Sequence, residues 1–142
     1  MTRDLFQQAL NERILVCDGP LGHILGAGRV RGARTRGQEQ VPESGPGGVA
    51  LPELLALEDP DRLREIHRSS LEAGADILLT NTLAANGPTL EPIGMRDRLP
   101  AILTASLAAA RDAITGMARP GDRPCWVACV LGPLAPGIAP LG

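Results

Sequence analysis

The sequence predicts an α/β fold built on a parallel sheet, and three observations carry that expectation. Three short apolar runs, Ile14–Cys17, Asp76–Thr80 and Cys125–Leu131, lack the alternation of a one-sided strand. They read as strands covered on both faces. Amphipathic helical stretches separate them, so the order is βαβαβ, with right-handed crossovers expected. Two architectures contain this order, a doubly wound sheet and the start of a (β/α)8 barrel.

The elements follow in order. Residues 4–12 place Leu5, Phe6, Ala9 and Leu10 at helical spacing before the first strand, which ends at Asp18-Gly19. Residues 26–50 lose all apolar periodicity and collect Gly, Arg and Pro, which predicts a long loop. The clearest helix spans 59–74. Asp59 suits the N-cap, Pro60 the first helical position and Gly74 the position after the C-cap. Leu63, Ile66, His67, Ser70 and Leu71 share one face, and His67 is expected to pack between helix and sheet. After the second strand, residues 88–94 suggest a helical turn closed by Gly94. A longer helix is expected over 98–119, with Leu103, Leu107, Ala110, Ile114 and Met117 as its buried stripe. The tail from Gly132 reads as loop.

Composition narrows the function classes. The chain has 142 residues, 17 Gly, 13 Pro, one Phe, one Trp and no Tyr, with 44% hydrophobic residues, which excludes a wholly disordered chain. No apolar run approaches the roughly 18 residues of a membrane span, and the N-terminus lacks an apolar signal core, so a cytoplasmic protein is expected. The net charge of −2 argues against broad binding to nucleic acid. Arg29, Arg31, Arg34 and Arg36 could track a phosphate backbone. No aromatic interleaves them, and Glu39 and Glu43 follow, so a solvated loop is the preferred reading. Cys17, Cys125 and Cys129 lie in apolar runs without metal-site spacing and read as small buried hydrophobes.

The chemistry-bearing positions gather at strand ends. Asp18-Gly19-Pro20-Leu21-Gly22 follows the first strand. It is neither a G-x-G-x-x-G fingerprint nor a P-loop, which the absence of lysine forbids. A carboxylate beside glycines can hold an ammonium group, while backbone N–H groups near Gly19 and Gly22 can hold a carboxylate. Together they would match the head of an amino acid; a turn capped by Asp18 is the simpler alternative. Thr80-Asn81-Thr82 ends the second strand, at the rim where barrel enzymes place their sites. His23 has no companions that would complete a metal site.

These residues resemble a known family. Ile14–Gly22 resembles the "LLLDGAMGT" start of homocysteine S-methyltransferase domains. Pro52–Asp76 is similar to the family's "ELLNLTRPDLVREIHRAYLEAGAD", Ile77–Asn86 to "IILTNTFGAN", and Val127–Pro133 to "VAGSIGPT". The resemblance implies residues 1–142 as the N-terminal part, about three β/α units, of a TIM-type (β/α)8 barrel that binds homocysteine at its C-terminal rim. It implies Asp18 on the substrate amino group, the backbone from Gly19 to Gly22 on its carboxylate, and Asn81 and Thr82 lining the pocket. It also implies a zinc ion that activates the thiol for methyl transfer, giving methionine.

This sequence departs from the pattern in several places. The family's zinc cysteines stand in "GxNC" and "GGCCG" contexts that are absent here, so no metal ligand is assigned. His23 replaces the family's Thr, Leu83 its Phe, and 26–50 is longer and richer in Arg. The methyl donor stays open among methyl folate with cobalamin, betaine and S-methylmethionine. A truncated or split form is expected, completed by a second chain or by oligomerisation and inactive alone. The alternatives are a non-catalytic amino-acid-binding fragment or, through Arg29–Arg36, an RNA-interacting protein.

Overall fold

The computed structural model describes residues 2–19, 21–24, 51–115, 117 and 123–132. The predicted 26–50 loop, its arginines and the tail after Gly132 lie outside them. Helix α1 (Thr2–Glu12) is followed by an extended segment through Asp18 and a single turn, α2 (Leu21–Ile24). A 3₁₀ turn (Pro52–Leu54) leads into α3 (Leu55–Glu58) and α4 (Pro60–Glu72), then β1 (Ile77–Leu79). Next come α5 (Gly87–Leu90), two 3₁₀ turns, α6 (Leu99–Ile114) and β2 (Trp126–Ala128).

The strands β1 and β2 run parallel, with Ile77 opposite Trp126 and Leu79 opposite Ala128. On the other edge of β1, Cys17 makes a parallel bridge to Ile77. The spatial order is therefore the first segment, β1, then β2, as a βαβαβ unit requires. Aspartates bracket the first pairing. The Asp76 carboxylate accepts the Val16 amide at 3.2 Å, and the Asp18 carboxylate accepts the Leu79 amide at 3.0 Å. Asp18 N donates to the Ile77 carbonyl, so the next regular rung would send the Leu79 amide to the Asp18 carbonyl. The side chain takes that amide instead.

Helix α4 begins as expected. Asp59 caps it by accepting the Arg62 amide at 3.0 Å, Pro60 opens it, and Gly74 lies beyond the Ala73 C-cap at φ 103°. A left-handed residue there costs glycine least. Leu63, His67 and Leu71 form its buried line. Leu71 packs with Leu78 of β1 and with Ala110 and Ala113 of α6. A second cluster joins Leu21, Leu55, Ala56, Leu63 and Ala109. Burial of each such leucine contributes about 1.5–3 kcal/mol.

Several expectations need correction. The buried face of α6 is Ile102, Ser106, Ala109, Ala110 and Ala113, while Leu103 lies at the surface and Leu107 is half-buried. Small residues let α4 and the sheet approach closely, so the helix turns its alanine face inward rather than its leucines. The helix stops at Ile114 because Thr115 is extended. The first extended segment is not covered on both faces: Ile14 is 88% exposed and Val16 53%, since no described element packs over that face. β2 is likewise only half-buried, and it is regular only over Trp126–Ala128. Cys17 and Cys129 are exposed and Cys125 is half-buried, so the cysteines are not core residues. In α1, Phe6 and Ala9 face inward but Leu5 and Leu10 are exposed.

Candidate functional site: the strand-end rim

The C-terminal ends of the strands bring Asp18, Thr80, Asn81 and Thr82 to one side of the sheet, and all four are buried. Gly19 beside Asp18 is exposed, and Gly22 falls within the α2 turn.

Thr80 and Thr82 join β1 to the end of β2. The Thr80 amide donates to the Ala128 carbonyl at 2.9 Å. The Thr82 hydroxyl donates to the Val130 carbonyl at 2.7 Å, and the Val130 amide donates to the Thr80 hydroxyl at 3.1 Å. The two hydroxyls are 2.8 Å apart. Each hydroxyl has one proton, so Thr80 must donate to Thr82 and the loop of bonds closes. The Thr82 proton is thus committed inside the protein. Beyond it the segments that follow the two strands approach tightly: a Cβ on Gly132 would collide with the Leu83 carbonyl.

Asn81 ties the rim to the segment before α3. Its amide donates to the Pro52 carbonyl at 2.7 Å, and its own carbonyl accepts the Ser106 hydroxyl of α6 at 3.1 Å. Glu53 on the same segment accepts the Ala84 amide at 2.7 Å, while its second oxygen is buried without a hydrogen-bond partner among the described residues. Sequence reasoning missed Glu53. A charged residue inside an apolar Leu51–Leu57 stretch was the only signal, and its strand-end partner is a tertiary neighbour.

Asp18 is the most exacting member. Its side chain is 1% exposed and one oxygen holds Leu79. The other has no hydrogen-bond partner among the described residues and stands 3.4 Å from Nδ1 of His67. The expected packing role of His67 therefore comes with a polar neighbour, and the ring is fully buried.

At the opposite end of the strands, Asp76 is held by Arg13 at 2.6 Å and Arg123 at 2.9 Å. Burial is the largest influence on Asp76 and pushes its pKa up. The Arg13 hydrogen bond, the Val16 amide and the two arginine charges outweigh it, leaving the carboxyl below the usual range. Arg13 is raised in return, first by its hydrogen bond to Asp76.

Among the described residues, no three His, Cys, Asp or Glu side chains gather as a metal site. Cys17 and Cys129 stand in different parts of the sheet, and Cys129 lies 3.8 Å from the Thr82 hydroxyl. The described residues therefore do not by themselves fit a zinc ion. No helix among the described residues is long and apolar enough to cross a membrane.

A small parallel sheet packed with helices, its polar residues gathered at the strand ends, defines the class, an α/β protein. Residues 15–140 match the family described as homocysteine S-methyltransferase, and the chain belongs to that family. A methionine synthase of Mycobacterium tuberculosis (strain ATCC 25618 / H37Rv) is 33% identical over 128 residues, covering 90% of this chain and 10% of that protein. The chain thus spans about a tenth of the length of this curated relative.

Proposed function

We propose that this chain supplies the amino-acid-recognising part of a homocysteine S-methyltransferase site, in a protein that passes a methyl group to the homocysteine thiol to give methionine. The carrying observation is Asp18: a buried carboxylate at a strand end, with one oxygen fixed by the Leu79 amide and the other free of any backbone partner. Such a group suits a ligand ammonium, because a charge-assisted bond in a dry site is stronger than its counterpart in water. Backbone N–H groups from Gly19 to Gly22 would take the ligand carboxylate. Asn81 and Thr82 would line the pocket through backbone and surface they hold in place, since their amide and hydroxyl protons serve Pro52 and Val130.

In this reading residues 1–142 are part of a (β/α)8 barrel. The parallel strand order supports it, because the first segment and β2 each pair with β1 on one edge among the described residues, leaving edges for further strands. The remaining strands and the metal ligands would come from a further segment or a second chain, and methyl transfer needs them.

The test is calorimetric titration with homocysteine. The wild type is expected to bind, and Asp18→Asn to bind at least about tenfold more weakly, having lost the charge while keeping an acceptor for Leu79. Equal affinities would remove Asp18 from the site. Methionine formed from homocysteine, zinc and a methyl donor by the purified chain alone would show that no further segment is required.

A further inference from the structure

His67 lies on α4 between Leu63 and Leu71, on a face that an apolar residue could fill. Its ring is fully buried, and neither nitrogen has a hydrogen-bond partner among the described residues. Nδ1 stands 3.4 Å from Oδ2 of Asp18, itself buried and without a hydrogen-bond partner there. Each group left alone in a dry interior carries a desolvation penalty. Facing one another, they can relieve both penalties if the imidazole keeps its proton on Nδ1 and donates it to the carboxylate.

We propose that His67 is the positioning residue for Asp18. A small closure of the 3.4 Å separation lets the Nδ1–H of His67 donate to Oδ2 while the Leu79 amide holds Oδ1, so the carboxylate plane is fixed from two sides. A carboxylate offers about four lone-pair positions, and two remain for the ammonium group of an α-amino acid. The packing of Leu63 and Leu71 holds α4, and therefore the ring, in register with the strand end. This inference rests on Asp18 as the ammonium-binding group.

Two measurements on the full chain test it. His67→Leu fills the space and removes the donor, whereas His67→Asn places an amide N–H near the Nδ1 position. His67→Leu is expected to weaken homocysteine binding about tenfold or more, and His67→Asn to recover most of that loss, with similar unfolding midpoints. In ¹⁵N-histidine NMR at neutral pH, His67 is expected as the Nδ1–H tautomer, with a signal that moves in Asp18→Asn. A folded His67→Leu that binds like the wild type overturns the proposal. So does a folded His67→Asn as weak as the leucine variant, or a ring protonated at Nε2 alone. If His67→Leu does not fold, the asparagine variant and the ring signal decide. Failure of the wild type to bind homocysteine overturns the proposed function instead, and the ring signal then decides the His67–Asp18 contact by itself.

Discussion

Phe6 of α1 and Trp126 of β2, the only aromatic residues of the chain, meet edge to face with ring centroids 5.1 Å apart and planes at 73°. The contact places the N-terminal helix against the start of β2, at the end of the sheet away from the rim. Such a pair contributes about 0.5–1.5 kcal/mol beyond the area it buries. Phe6→Ala is expected to cost about 2–3 kcal/mol, less than the roughly 3–5 kcal/mol of a core Phe truncation because both rings are half-buried. Trp126 is the sole tryptophan, so its emission should shift to the red in the variant. An unchanged spectrum would show that α1 does not rest there in solution.

Asp76 binds the same end together through Arg13, Arg123 and the Val16 amide. Its carboxyl is depressed in the folded state, so its contribution is full above the ordinary aspartate range. It fades as pH falls below about 4. Asp76→Asn is expected to lower stability by about 1–3 kcal/mol at pH 7, since the freed arginines remain partly hydrated. The difference from wild type should shrink as the pH is lowered below 4 in denaturant titrations. A constant difference would show that the charge is not responsible.

Gly132 closes against Leu83, where any Cβ would meet the Leu83 carbonyl. Gly132→Ala must push the rim apart, at an expected cost of about 1–3 kcal/mol. The turn from Asn81 to Ala85 should then become more open to hydrogen exchange. Exchange unchanged at Thr82 and Ala85 would place the strain elsewhere.

Thr82→Val removes the hydroxyl that links Thr80 to Val130, leaving a half-buried carbonyl and the buried Thr80 hydroxyl without that partner. A loss of about 1–3 kcal/mol is expected in chemical unfolding. Thr82→Ser keeps the oxygen and should recover most of it. A Thr82→Val variant as stable as the wild type would mean that the hydroxyl link does not contribute.

At the start of α4, Asp59→Ala should cost about 1 kcal/mol through the lost cap on Arg62. Asp59→Ser is expected to restore nearly all of it in thermal unfolding, because Ser is an equally good cap. A serine variant as unstable as the alanine one would assign the loss to something other than capping.

Much of the fold was legible because it depends on local chemistry. Asp59, Pro60 and Gly74 delimit α4 through capping, ring geometry and a positive φ, none of which needs a distant partner. The parallel order followed from apolar runs separated by helices. The inward face of α6 was misread because helical periodicity places Leu103 and Leu107 near Ala110, whereas close packing against α4 selects Ser106, Ala109 and Ala113. The segment at 14–17 looked fully buried because its composition is apolar, yet burial depends on what packs over each face of the sheet. Glu53 escaped notice because nothing near it in sequence reveals its link to Ala84.

The sequence by itself determined the family, the order of helices and strands, and the presence of Asp18, Asn81 and Thr82 at strand ends. These are carried by motif and periodicity along the chain. The tertiary structure alone decided which polar atoms are satisfied. It committed the Thr82 proton to Val130, tied Asn81 to Pro52, and left Asp18 facing His67 across 3.4 Å. Hydrogen-bond satisfaction in a dry interior depends on distances between residues far apart in the chain, and these are fixed only when the helices pack on the sheet.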